Sequence, residues 1–135
     1  MTVEIKGTYE GDLRVKLIHG PSGSVLETDA PLDNQGKGSR FSPTDLVAAA
    51  LASCIVTIMG IVAKRDGIKL EGLSFRLEKH MNESPRRIGK IIVEINMPKG
   101  LTEEQKKKLE NAANTCPVHH SLLSEIKKDI KFIYP

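Results

Sequence analysis

Apolar and polar residues alternate along the first third of the chain and again along its second half, with a long unbroken apolar run between. Val3 and Ile5, then Leu13, Val15 and Leu17, recur at a period of two around the turn pair Gly11-Asp12. That pattern predicts a strand hairpin, with His19-Gly20-Pro21-Ser22-Gly23 as the next turn and Ser24–Thr28 as a further strand. Asp33 to Ser39 reads as a loop from its residue types. The period then changes. Ser42 is a suitable N-cap, Pro43 suits the first helical position, and Asp45 completes a capping box. Lys64 and Arg65 complement the far end of the dipole, and Gly67 suits a left-handed cap. A helix of about six turns is therefore predicted from Pro43 to near Arg65.

The apolar residues of this helix surround it instead of forming a stripe, which suits a membrane span or the central helix of a core. Ser53, Thr57 and Gly60 interrupt the run, and no polybasic or aromatic belt flanks it. The continuous stretch falls short of the ~20 residues a span needs. A buried helix is the reading adopted, and Ala48, Ala49, Ala50 and Ala52 would let neighbours approach closely.

Alternation returns with Leu73, Phe75 and Leu77, and with Ile91, Val93, Ile95 and Met97. These predict two strands joined by a loop from His80 to Arg87, the second broken by Pro98-Lys99-Gly100. Thr102 to Gln105 forms another capping box, opening a charged helix to about Ala113. Pro117 is expected to start a third helix over Val118–Lys128, and Ile130, Phe132 and Tyr134 alternate as a last strand. Strands, long helix, strands, helices and strand describe an α+β domain, one domain over residues 1–135.

Composition narrows the function classes. Charged residues make up 27% and the net charge is only +3, as in an ordinary soluble chain. The runs Lys106-Lys107-Lys108, Arg86-Arg87 and Lys127-Lys128 are scattered among acids, and aromatic residues are few, which argues against nucleic-acid binding. The N-terminal residues lack an apolar signal core, so a cytoplasmic location is expected. Two cysteines cannot build a secreted disulfide framework. In a reducing compartment they are either two buried thiols or a redox couple.

Local chemistry ranks those cysteines. If Pro117 opens a helix, Cys116 is its N-cap, close to free N–H groups that lower a thiol pKa. Cys54 lies about three turns inside its helix, where burial alone would raise its pKa. On this reading Cys116 is reactive and Cys54 structural. A metal site on Cys116, His119 and His120 is the competing reading. It lacks a fourth ligand, and adjacent helical histidines point about 100° apart.

"SPTDLVAAALASC" followed by "CPVHHSL" resembles the OsmC/Ohr family of thiol peroxidases, and the likeness extends to "YEGDLR" and the "DNQGKG" loop. The resemblance implies an antiparallel sheet wrapped around a long central helix in an intertwined homodimer. It implies that Cys54 attacks the peroxide and Cys116 closes a disulfide, reversing the local ranking. An arginine from the N-terminal region stabilises the thiolate in such proteins. Arg14 matches that position, and Arg40 is the second candidate. Where Ohr-type members carry a glutamate after the proline to hold the arginine, this chain has Thr44, with Asp45 next. The implied partners are a hydroperoxide and an external dithiol, without metal, organic cofactor, nucleic acid or membrane. An apolar lining from Leu51, Ile55 or Met59 would favour organic peroxides. A non-catalytic binding or redox-sensing module on the same fold is the alternative.

Overall fold

A computed structural model describes all residues from Met1 to Pro135. The chain divides into two compact units, Met1–Leu46 and Val47–Pro135.

The first unit is an antiparallel meander of β1 (Ile5–Gly11), β2 (Arg14–His19) and β3 (Val25–Asp29). Gly11, Asp12 and Leu13 all take positive φ, so the Gly-Asp signal marks the first reversal as its residue types require. The second reversal is held by the His19 amide on the Ser24 carbonyl and by a 2.6 Å contact between His19 Nδ1 and Ser22 Oγ. Leu17 faces Leu26 across the β2–β3 ladder, and Gly7 faces Leu17 across β1–β2. Alternation therefore puts Ile5, Leu17 and Leu26 on one face, where with Leu46 they line a groove of about 480 Å³. The loop after β3 includes a single 3₁₀ turn, Leu32–Asn34, and folds back on Ala30 so closely that a Cβ at Gly36 would collide with the Ala30 carbonyl. That collision accounts for the glycine.

Helix α1 (Pro43–Asp66) begins where the sequence predicts. The Ser42 amide donates to Asp45 Oδ2 at 2.9 Å and the Asp45 amide donates to Ser42 Oγ at 3.0 Å, closing the capping box. At the other end Gly67 takes a φ of 68°.

The second unit is built on a mixed sheet. β4 (Ser74–Asn82) and β5 (Arg87–Asn96) form a hairpin, and β6 (Lys127–Ile133) pairs with β5 in parallel. The hairpin loop is shorter than predicted, because β4 continues through His80, Met81 and Asn82 past an irregularity at His80. Parallel pairing of β6 requires a crossover, which α2 (Glu103–Ala113) and α3 (Pro117–Ser121) provide. Helix α2 carries the predicted capping box between Thr102 and Gln105.

Helix α3 departs from expectation. It stops at Ser121 instead of running to Lys128, and Leu122 is already extended. Val118, Leu122 and Ile126 have helical spacing, yet all three reach the core from a largely non-helical segment. The reason is register: by Lys127 the chain must be extended to lie beside Lys90 of β5. Sheet pairing outweighs local periodicity here.

One core joins the elements of this unit. Ala48, Leu51, Ala52, Ile55, Met59 and Ala63 of α1 pack with Ile91, Val93 and Ile95 of β5 and with Leu109 and Ala113 of α2. Burial of side chains as large as Leu51, Ile55 and Met59 contributes about 1.5–3 kcal/mol each. The opposite face of α1 is open, with Val47, Ala50, Ser53, Thr57 and Ile61 exposed. By length and composition α1 also passes for a membrane span, but its buried face belongs to a core that includes strands.

Candidate functional site

Cys116 and Cys54 both lie in the second unit, Cys116 in its core and Cys54 packed against that core. Cys54 sits at mid-length of α1, between Leu51 and Ile55 on one side and the exposed Ser53 on the other, and is half-buried. Cys116 is fully buried and forms the N-cap of α3, as its position before Pro117 predicts. Its Sγ accepts the His119 amide at 3.4 Å. Cys54 is its electrostatic neighbour, and both cysteines are free thiols.

The electrostatics of Cys116 run against the local reading of it as the activated thiol. Burial pushes the Cys116 thiol up, and the neighbouring Cys54 sulfur pushes it further. The amides of His119 and Val118 pull it down, as a helix N-cap should, but they do not offset desolvation. The expectation of an activated Cys116 therefore fails because the short helix end is sunk in the core. Cys116 rests as a protonated thiol, and Cys54 is the sulfur with access to solvent.

His119 and His120 follow Cys116 on α3. Their rings lie edge to face, with centroids 5.8 Å apart and planes at 74°. Burial holds His119 below its ordinary pKa, helped by Lys128 and His120, so its ring is neutral near pH 7. No three metal-ligating side chains are brought together anywhere in the chain.

Arg14 lies in the first unit and has its own partner. Its Nε donates to Asp29 Oδ1 at 2.8 Å and its Nη2 to Asp29 Oδ2 at 2.9 Å, a bidentate pair. Asp29 is 1% exposed, and the Ser39 backbone also favours its charged form. The Arg14 guanidinium holds the Asp29 carboxyl below the usual carboxylate range. Asp45 is committed to capping α1, so the carboxylate that grips Arg14 is Asp29. Sequence reasoning missed this residue. Its signal is the β2–β3 register, which sets Arg14 opposite Asp29 once the turn is fixed. Arg40 is exposed, with its Nε 3.4 Å from Glu27 Oε1.

Leu51, Ile55 and Met59 are core residues. All three are buried in the core, on the face of α1 that packs against β5.

The family model for OsmC-like protein matches residues 36–131. Among solved structures, a Psychrobacter arcticus protein provisionally named an osmotic stress induced and detoxification response protein is 42% identical, with a TM-score of 0.93 over 98% of this chain and 96% of that one. An organic hydroperoxide resistance protein OsmC from Legionella pneumophila is 19% identical, with a TM-score of 0.76 over 98% and 96% of the two chains. The organic hydroperoxide resistance protein OhrB of Bacillus subtilis is 20% identical, with a TM-score of 0.66 over 98% of each chain. These last two likenesses carry the fold alone. Comparison of the sequence with curated proteins gives no match.

Proposed function

The chain belongs to the OsmC-like protein family, and on that premise we propose that it is a cysteine-based peroxidase that reduces organic hydroperoxides in defence against oxidative stress. The observation that carries the reading is two free thiols in the same core, neighbours of unlike environment, Cys54 half-buried and Cys116 fully buried. The names of the Legionella and Bacillus proteins point to the same substrate class.

Cys54 is the attacking thiolate in this proposal. It displaces ROH from the terminal oxygen of ROOH and becomes a sulfenic acid. Cys116 condenses with that sulfenic acid, giving a disulfide and water, and an external dithiol restores both thiols. Arg14, oriented by Asp29, is assigned to the thiolate, since a nearby cation favours the charged form. The sulfur carries the redox chemistry, so the proposal needs neither metal nor organic cofactor. A cytoplasmic location fits a pair that must be re-reduced after each turnover.

We assign the working form to a homodimer. The open face of α1 is apolar or small from Val47 to Ile61, and the groove on the meander is apolar as well. A second copy of the chain is the partner that would cover them.

The test is a titration of free thiols with cumene hydroperoxide, with and without a dithiol reductant. Turnover with the reductant, at rates well above free cysteine, supports the enzyme. One stoichiometric oxidation without turnover identifies the redox-sensing module instead. Thiols that oxidise no faster than free cysteine reject both.

A further inference from the structure

We propose that the outward face of the β4–β5–β6 sheet ends in a binding site for a small inorganic polyphosphate anion, built by Asn82, Arg87, Lys90 and Lys127. The site draws on neither cysteine and stands independently of the peroxidase reading.

Register assembles this corner from basic runs that are scattered in the sequence. Ile91, Val93 and Ile95 turn inward to the core, so Lys90, Ile92 and Glu94 of β5 point outward. Lys90 pairs with His80 on one side and with Lys127 on the other, placing the three in one row that spans roughly 10 Å. The run Lys127-Lys128 is divided by the pleat. Lys127 faces outward, while Lys128 turns inward and donates to the Leu123 and Ile126 carbonyls. At the hairpin end Arg87 pairs with Asn82. The Asn82 carboxamide lies over Gly89, the residue before Lys90, in space that a Cβ there would fill.

Charge on this face is unevenly compensated. Arg76 Nη2 lies 2.6 Å from Glu78 Oε2 and 3.1 Å from Glu94 Oε1. His80 Nε2 is 3.0 Å from Glu78 Oε1, and Lys131 Nζ is 3.8 Å from Asp129 Oδ2. The carboxylates of the adjoining rows are thus engaged with cations of their own. Lys90 and Lys127 face each other without a carboxylate between them, and like charges at facing strand positions repel. Arg87 donates from Nη1 to the Glu83 and Pro85 carbonyls, which fixes its guanidinium, and the Glu83 carboxylate lies 3.9 Å from Arg86. The corner therefore presents ammonium, guanidinium and carboxamide donors together, the set that takes phosphate oxygens. A chain of phosphates can follow such a row where a single phosphate cannot. The one ring in the corner, His80, is held by Glu78, so no free aromatic face awaits a nucleobase.

The experiment is a calorimetric titration with sodium tripolyphosphate at low ionic strength. It compares the wild type, the double variant Lys90→Ser/Lys127→Ser, and Lys131→Ser, which removes a paired lysine from the same face. The expected result is binding by the wild type that weakens roughly 10-fold or more in the double variant and is close to unchanged in Lys131→Ser. Thermal unfolding gives a second readout: tripolyphosphate should raise the Tm of the wild type and leave that of the double variant in place. No binding by the wild type at millimolar tripolyphosphate overturns the proposal. Equal weakening in Lys131→Ser also overturns it, because the attraction then belongs to net charge and not to this corner. ATP binding more tightly than tripolyphosphate would overturn the inorganic chain as the ligand and give the corner to a nucleotide.

Discussion

Asp29 holds Arg14 by two nitrogens, 2.8 Å from Nε and 2.9 Å from Nη2, and the carboxylate is almost wholly shielded. The pair also ties β2 to the loop ahead of α1, since the Asp29 amide donates to the Phe41 carbonyl. Because the folded-state pKa of Asp29 is depressed, its contribution to stability is present above the unfolded carboxyl value of ~3.9. It is lost as the pH falls through the lower folded value. Arg14→Ala should therefore lower Tm at pH 7, leaving a shielded carboxylate without its cation. The deficit should narrow on acidification below about pH 5. Thermal unfolding of both proteins across that range checks the sign, and a deficit that does not change with pH would assign the effect to packing alone.

Single-cysteine variants separate the two sulfurs. Cys54→Ser is expected to abolish consumption of cumene hydroperoxide. Cys116→Ser should complete one oxidation and stop at a sulfenic acid on Cys54. Mass spectrometry after one equivalent of peroxide shows where the oxygen resides. A sulfenate on Cys116 in the Cys54→Ser protein, with activity retained, would restore the ranking that helix capping alone suggests.

That ranking marks the limit of what the chain discloses locally. The ends of α1 are legible because Ser42, Asp45 and Gly67 act within a few residues of the backbone they satisfy. The α2 cap is legible for the same reason. The position of Cys116 as an N-cap was legible too, but its chemistry was not. Desolvation comes from α1, β5 and α2 closing around it, which no local pattern records. Asp29 was hidden because its partner lies fifteen residues back, across a strand register. The end of α3 was hidden because β5, far off in sequence, determines where the chain must straighten.

The open face of α1 predicts association. Val47, Ala50, Ser53, Thr57 and Ile61 repeat at helical spacing, and the middle three are small enough for close approach of another helix. Sedimentation should give about twice the chain mass of 14.8 kDa at micromolar concentration. Ala50→Arg puts a long charged side chain at the centre of that face and is expected to shift the protein to monomer. A native protein that sediments as a monomer would leave the face without its assigned partner.

The raised thiol of Cys116 gives the last prediction, on the alkaline side. A folded protein that keeps this proton to higher pH than the unfolded chain binds more protons between the two values. Its stability is then complete below the ordinary thiol value of ~8.5 and falls as the pH rises toward the folded one. Cys116→Ser removes the titrating group, so the wild type should lose Tm above about pH 9 more steeply than the variant. Alkylation reports the same asymmetry by another route. Iodoacetamide at pH 8 should modify Cys54 first, because Cys116 is both protonated and enclosed. Cys54→Ser withdraws the neighbouring sulfur that raises Cys116, so the alkylation profile of Cys116 should move to lower pH while remaining above that of free cysteine, since burial persists. If Cys116 were instead modified faster than Cys54 in the wild type, the N–H groups of the helix cap would have outweighed desolvation.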